Sequence, residues 1–455
     1  MNFFRTHLLR FLLPIALVVV GVGLCVALVP NERAAVADQL FGFPDSDAPA
    51  HHLRPLVLQA LCFLPALASV LYGLGGTMDR YIARQFGGIF GVCLGALLSI
   101  YLLMDFADKV SDLRDSANMM ETARSFYGTR APAVFLLLLP YSLLLALLYS
   151  LGKLSGSREV IAMIQAGRSV VRITLPLIFA GLVFSLFCLG INYQWAPTAE
   201  AKADQILKES SGKTPMDATN VLYRNSVDRR LWEIGGFPRD YQMGRPLRNV
   251  EVTTTRSDKT LESRLFAKEA LWNRSDQTWT FQQPVMEEFP PDRAPVFRTL
   301  PEALSIQNWS ETPWQLIKPG LTASELGIPD LNTWLKANSP NPQFTLTSGY
   351  LTQWHYRWAL PFTCLVTVLL ATPLGIHFSR RGAGGGVFLA VALSALMLLL
   401  SSISLALGES GILQPMLAAW LPNITFTLIG FYLFHRRISG RPIYRTLRQL
   451  VPGND

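Results

Sequence analysis

The sequence predicts an α-helical membrane protein of eight spans, with a β-rich domain inserted between the fifth and the sixth. Three observations carry that reading. Half of the 455 residues are hydrophobic and only 16% are charged, too lopsided for an ordinary soluble chain. The apolar residues gather into runs of about 20, the length a helix rising roughly 1.5 Å per residue needs to cross the hydrocarbon core. Between residues 193 and 350 those runs stop and short period-two stretches replace them.

The runs are Phe11–Val29, Leu56–Gly75, Gly87–Met104, Pro132–Leu151, Ile173–Ile191, Trp358–Ile376, Val387–Leu407 and Ile412–Phe434. Arg5 and Arg10 precede the first, and Ala35-Val36-Ala37 offers a small-residue cleavage site. The run itself exceeds the roughly 7–15 residues of a signal-peptide core, which favours an uncleaved anchor. The net charge of +8 reports topology. With both termini cytoplasmic, the short inner segments hold 15 Lys/Arg against three acids (Asp79, Glu159 and Asp455), whereas the short outer loops hold six against ten. Reversing the orientation would invert this positive-inside bias. Residues 193–350 carry 18 Lys/Arg and 19 Asp/Glu, so no basic stripe exists to track a nucleic acid. All five cysteines lie in predicted spans, which excludes a disulfide framework for the outer region and reads as inert thiols.

Four blocks follow: a hairpin over residues 1–76, joined outside by a Pro/Ala/Asp-rich loop around Pro44–Pro49; three spans over 77–192; the outer region over 193–350; and three spans with a basic tail (Arg441, Arg445, Arg448) over 351–455. In the outer region Leu247–Thr255 is rich in Val and Thr at period two. Leu261–Trp272, Trp279–Gln282 and Val285–Phe289 follow, separated by turn residues. Leu261–Trp272 also has helical composition, so strand and helix both stay open there, with strand preferred. Thr322-Ala323-Ser324-Glu325 has capping-box spacing, and Leu331–Lys336 reads as a short helix returning to the membrane.

The inner loop Gly152–Arg172 is the most informative short segment. Ser157 is placed to cap a helix over residues 157–167, whose apolar residues Val160, Ile161, Met163 and Ile164 crowd one side and which Gly167 stops. Such a helix either rests in the lipid interface or docks a cytoplasmic partner. The acid Glu159 between Arg158 and Arg168 favours docking.

No predicted span carries an ionisable residue in its middle; Asp105, Lys153, Arg357, His377 and Glu409 stand only at edges. An ion-coupled carrier normally keeps such residues inside, because a central charge costs roughly 2.5–3.5 kcal/mol on insertion scales and function has to justify it. Energy is therefore expected from elsewhere. Gly212-Lys213-Thr214 resembles the tail of a phosphate loop, but Leu207 stands where its first glycine belongs, so the chain holds no ATP site of its own. The remaining constellations read blandly. His51-His52 look like exposed loop histidines rather than a metal site, and His355 between Trp354 and Tyr356 looks like an interface anchor. Asp105, Asp108, Asp112 and Asp115 look like a solvated helical face rather than an acid/base pair, and the Asn273 and Asn308 triplets are chance glycosylation matches.

Several stretches, in order, resemble the LptF/LptG permeases of lipopolysaccharide exporters. They are Met78-Asp79-Arg80-Tyr81; Ser157-Arg158-Glu159-Val160-Ile161-Ala162-Met163 with Ala166-Gly167; Trp195-Ala196-Pro197; Ala371-Thr372-Pro373-Leu374-Gly375-Ile376; Leu407-Gly408-Glu409-Ser410-Gly411; and Trp420-Leu421-Pro422-Asn423. The resemblance covers about Thr77–Arg437 and implies three plus three spans around a periplasmic β-jellyroll, in the bacterial inner membrane. It implies a half-transporter that pairs with a second such permease and a cytoplasmic ABC ATPase dimer, binds no cofactor itself, and draws on ATP through that partner. The lipopolysaccharide or related lipid would pass to a periplasmic bridge protein of jellyroll type.

Mapped onto this chain, Arg158, Glu159, Met163 and Gly167 would form the ATPase-coupling segment. Leu97 and Tyr101 on one span and Leu396 and Leu400 on another would line the lateral gate and lipid cavity. Lys109 and Arg114 would meet the head group, although four aspartates surround them. The hairpin of residues 1–76 is additional to the family's six spans; packing outside the gate helix and replacing a separate regulatory anchor both stay open. Two other function classes are a subunit that transmits force to outer partners without carrying lipid, and a membrane-embedded lipid-modifying enzyme.

Overall fold

The computed structural model describes residues 2–40, 48–114, 118–210, 216–225, 228–238, 245–273, 276–291, 293–307, 309–317, 322–338, 345–376 and 384–439. Pro44, Asp115, Gly212-Lys213-Thr214, Arg274-Ser275, Asn308, His377 and the tail arginines lie outside the described residues. Among the described residues, eight helical stretches are long and apolar enough to cross a membrane, at the places where the apolar runs predict them.

Helices α1 (Asn2–Leu40), α2 (Ala48–His52) and α3 (Arg54–Leu74) form the N-terminal hairpin. Helix α3 opens on Arg54-Pro55, where the N–H that proline lacks would have no intrahelical partner anyway. It packs along α1 on one side and along α7 (Val170–Tyr193) on the other. The α3–α7 approach needs Gly190, since a Cβ there would lie 2.4 Å from Leu61 Cδ2. The hairpin is thus seated mainly on the fifth span, with slighter contact to the third.

The first membrane half continues with α4 (Thr77–Arg114), α5 (Met119–Gly156), the short α6 (Glu159–Gln165) and α7. Helices α4 and α5 have 38 residues each. At about 1.5 Å per residue each is roughly 57 Å long, nearly twice the ~30 Å hydrocarbon core, so their ends reach well beyond it.

Before the second half, α8 (Trp195–Ser210) leaves the membrane and α9 (Pro313–Ile317) and α10 (Ile328–Asn338) return toward it. The second half is α11 (Thr345–Ala359), a 3-10 turn at Leu360–Phe362, α12 (Thr363–Gly375), α13 (Gly384–Glu409) and α14 (Pro415–Ile438). Pro361 breaks the α11–α12 rod by withholding its N–H from the Arg357 carbonyl, which Asn192 serves instead at 2.6 Å. Neighbouring spans also bond the carbonyls beside the break: Asn423 donates to that of Ala359 at 2.6 Å and Ser185 to that of Pro361 at 2.9 Å. The last span starts at Pro415 rather than Ile412, because Gly411 turns the chain with φ +77 directly after α13. The membrane core runs between α5 (Leu143, Leu147, Leu151), α7 (Ile173, Leu177), α12 (Val368, Leu370) and α14 (Phe426), all fully or nearly fully buried. Cys188 and Cys364 meet inside it with sulfurs 3.7 Å apart, as free thiols.

The outer region is an antiparallel sheet of β1 (Met216–Asn225), β2 (Arg230–Pro238), β3 (Leu247–Thr255), β4 (Leu261–Asn273), β5 (Thr278–Gln282), β6 (Val285–Glu288), β7 (Val296–Thr299) and β8 (Ala303–Ile306). Strand β4 resolves the strand-or-helix ambiguity of Leu261–Trp272. It also forks the sheet, its first half pairing β6 and its second half β5, which bends the sheet around one core. That core is aromatic: Trp232, Trp279 and Phe281 are fully buried, and Trp279 Nε1 donates to the Glu311 carbonyl at 2.8 Å. Helix α8 and strands β1, β2, β7 and β8 add to the strands expected from periodicity. Helix α8 buries Ala203 and Leu207 against Leu113 and Phe126 at the outer ends of α4 and α5. Thr322 makes no side-chain cap; the residues after it form only a 3-10 turn, Ala323–Glu325, ahead of α10.

Candidate functional site

On the inner side, α5 ends at Ser157 and the chain reverses through Arg158, whose φ of +62 is left-handed. Ser157 therefore closes α5 instead of capping α6, and no side chain caps α6. Ala166 follows α6, and Gly167 (φ +86) sends the chain on to α7, where the Ser169 hydroxyl accepts from the Arg172 N–H at 3.3 Å. Val160 and Met163 are buried in the membrane core, while Arg158, Ala162, Gln165, Ala166 and Gly167 are exposed.

Glu159 turns inward. Its carboxylate accepts from the Tyr81 hydroxyl at 2.8 Å and from Ser157 Oγ at 2.8 Å, and Gln85 Nε2 donates to the Tyr81 oxygen at 3.1 Å. A second tie runs beside it. Asp79 takes the Gly76 N–H at 3.0 Å and pairs with Arg168 at 2.7 Å and Arg172 at 3.8 Å. Both ties fasten the loop to the first turns of α4. Next to them a cavity of about 690 Å³ opens between α4 and α5, lined by Tyr81, Arg84, Gln85, Gly88, Ile89, Val92, Cys93 and Tyr149.

Helices α4 and α13 stand at the edge of the bundle. Within its most apolar 18-residue window, 6% of α4 and 17% of α13 is buried, against 50% for α5 and 67% for Ser348–Gly375. Helix α4 packs on α5 and α7, and α13 on α14, α11 and α12; the two do not form a packed pair within the chain. Of the residues expected to line a gate, Leu396 is exposed and Leu97, Tyr101 and Leu400 are half-buried, Leu400 against the membrane core. The two helices that carry these pairs are therefore not packed against each other.

At the outer rim Asp105 does not lie on a solvated face. It is ion-paired to Arg130 at 2.5 Å, both side chains are largely buried, and Arg130 also reaches Glu200 of α8 at 3.1 Å. Lys109 lies 3.8 Å from Asp204 of α8, while Arg114 ends α4 exposed. Helices α4, α5 and α8 are thus laced together by charge. His51 is likewise buried, 3.7 Å from Asp330, and is no exposed loop residue. No group of three or more His, Cys, Asp or Glu arranged to hold a metal occurs among the described residues.

The family model for the lipopolysaccharide export system permease LptF/LptG matches residues 80–436, from the first turn of α4 to the last turn of α14. The chain belongs to the LptF/LptG permease family. It is 24% identical over 358 residues to the lipopolysaccharide export system permease protein LptF of Escherichia coli K12, covering 74% of this chain and 90% of that protein; the LptF of Shigella flexneri matches to the same extent. The N-terminal hairpin lies outside the family match.

Family membership also explains the motifs. Gly375 lets α12 meet α5, where a Cβ would come 2.9 Å from Leu151 Cβ; Gly408 lets α13 meet α14 and α11, where one would come 2.5 Å from Ala418 Cβ. Glu409 accepts from Gln353 at 2.5 Å. These stretches are chiefly joints. The ties the sequence reading missed, Tyr81–Glu159, Asp79–Arg168 and Asp105–Arg130, join residues 78, 89 and 25 positions apart. Their only trace in the sequence was charge or hydroxyl groups at the ends of apolar runs.

Proposed function

We propose that this chain is a permease subunit of an ATP-driven lipopolysaccharide exporter in the bacterial inner membrane, with both termini cytoplasmic. A second LptF/LptG-like permease sets its α4 and α13 against the corresponding faces here, and lipid enters sideways between them. Leu97, Tyr101, Leu396 and Leu400 line that route, which suits acyl chains because it is uncharged. Lys109 and Arg114 stand nearest the head group. A cytoplasmic ABC ATPase dimer hydrolyses ATP and pushes on the exposed turn Arg158–Gly167. A periplasmic bridge protein of jellyroll type takes the lipid from the outer sheet domain.

The observation that carries this reading is the fastening of α6 to the foot of α4 by Tyr81–Glu159 and Asp79–Arg168. Force applied to α6 arrives at the least buried core helix with no flexible link between. In this arrangement Glu159 and Met163 transmit the push while Arg158 and Gly167 receive it. The test is to purify the chain from its native membrane in mild detergent and identify the bound subunits and lipids by mass spectrometry. An ABC ATPase, a second permease and a phosphorylated glycolipid are expected. A chain that arrives alone, yet moves or alters lipid without nucleotide, would overturn the reading.

A further inference from the structure

The N-terminal hairpin has no counterpart in the matched family stretch, and its outer end carries the densest buried polar cluster that links it to the rest of the chain. Arg54, at the start of α3, pairs with Glu32 of α1 at 2.5 Å and donates to Gln39 Oε1 at 2.6 Å. Gln39 passes the link on, its Nε2 donating to Asp330 Oδ1 at 3.3 Å. Asp330 is in the first turn of α10; its Oδ2 accepts from Gln194 at 2.9 Å, and its Oδ1 lies 3.7 Å from His51 Nε2. Two further contacts close the cluster: Trp195 Nε1 to Glu32 at 3.4 Å and the Tyr193 hydroxyl to the Ala50 carbonyl at 2.8 Å. His51, Arg54, Gln194 and Asp330 are all buried.

Burying this much charge gives little net stability, since desolvation offsets the attraction, but it fixes geometry because each removed partner leaves a charge stranded. The geometry concerned is that of the outer domain. Gln194 is the non-helical residue between α7 and α8, and α10 brings the chain back from the sheet. The cluster therefore grips both roots of the outer domain at one point, through Gln194 and Asp330, and ties them to α1, α2 and α3. We propose that the hairpin is a strut that sets the orientation of the outer sheet domain over the membrane helices, with Arg54, Gln39 and Asp330 as positioning residues. Helix α10 keeps a second footing on α11 through the Trp334–Tyr350 stack, with ring centroids 3.6 Å apart. Cutting the cluster therefore lets the domain tilt without detaching it.

The inference goes beyond the export reading and is tested separately from it. Ketone-bearing residues in place of Ala34 on α1 and Leu222 on β1, both exposed, are spin-labelled in the full chain in lipid nanodiscs, and their separation is measured by pulsed EPR. The native latch should give one narrow distance distribution. Asp330→Ala should broaden and shift it, and Asp330→Glu should recover much of the narrow form. Gln39→Leu guards against misfolding, because it cuts the α1–α10 link while leaving the Arg54–Glu32 and Gln194–Asp330 contacts in place, and it too should broaden the distribution. An unchanged distribution in both Asp330→Ala and Gln39→Leu overturns the strut. Lipid adducts from photoreactive residues at Leu97 and Leu396 read the export function instead: broadening in the latch variants without any adduct at either position keeps the strut and defeats export.

Discussion

The tie between Tyr81 and Glu159 can be measured with a double-mutant cycle. Tyr81→Phe deletes only the hydroxyl; Glu159→Ala deletes the carboxylate that accepts from it at 2.8 Å. Hydrogen bonds to charged groups contribute roughly 1.5–3 kcal/mol. Both groups are half-buried and Ser157 still satisfies Glu159 when the phenol is gone, which places this bond near the lower end, about 1.5 kcal/mol. If the bond holds α6 in the shape the ATPase grips, losing it means that binding must order the loop again. Affinity of the ATPase for the nanodisc-embedded permease should then fall about tenfold for Tyr81→Phe, the equivalent of roughly 1.4 kcal/mol. The double variant should be no weaker than Glu159→Ala alone, giving a coupling energy above about 1 kcal/mol. Effects that add to within about 0.5 kcal/mol would show that the two residues act independently, and the fastened-loop argument would fail.

Three further outcomes follow from packing and charge. Gly190→Leu drives a side chain into Leu61 and should destabilise hairpin seating by about 1–3 kcal/mol, seen as faster proteolysis of the hairpin; adding Leu61→Ala should return part of the loss. Trp279→Ala empties the centre of the outer domain's core and should cost about 3–5 kcal/mol, read as outer-domain cleavage at lower denaturant while the membrane helices stay protected. Arg130→Ala strands Asp105, a largely buried carboxylate, and should loosen α4 from α8; Arg130→Ala/Asp105→Asn should be milder, as judged by hydrogen exchange at Ala203 and Leu207.

The spans were legible because each is written locally as an apolar run, and so were the four strands between Leu247 and Glu288, where period-two alternation fixes faces; β1, β2, β7 and β8 were not. Partners were not legible. His51 looked like an exposed loop residue because the carboxylate beside it, Asp330, is 279 positions away in sequence. Asp105 looked solvated because its helix ladder repeats acids at one-turn spacing, and only the approach of α5 reveals Arg130. Helix α8 hides behind a polar composition that buries just a narrow stripe. In the loop Gly152–Arg172 the sequence placed a short helix, but not that Glu159 and Met163 face inward. The left-handed turn at Arg158 starts the helix one residue later than Ser157 as its cap would have done, and so sets which side of α6 is buried.

The central claim is that lipid enters sideways along the uncharged faces of α4 and α13 under power from another subunit. Photoreactive residues at Leu97 and Leu396, in the reconstituted complex with labelled lipopolysaccharide, address it most directly. Lipid adducts at both positions that change with ATP turnover are the predicted result; turnover with no adduct at either position would contradict it.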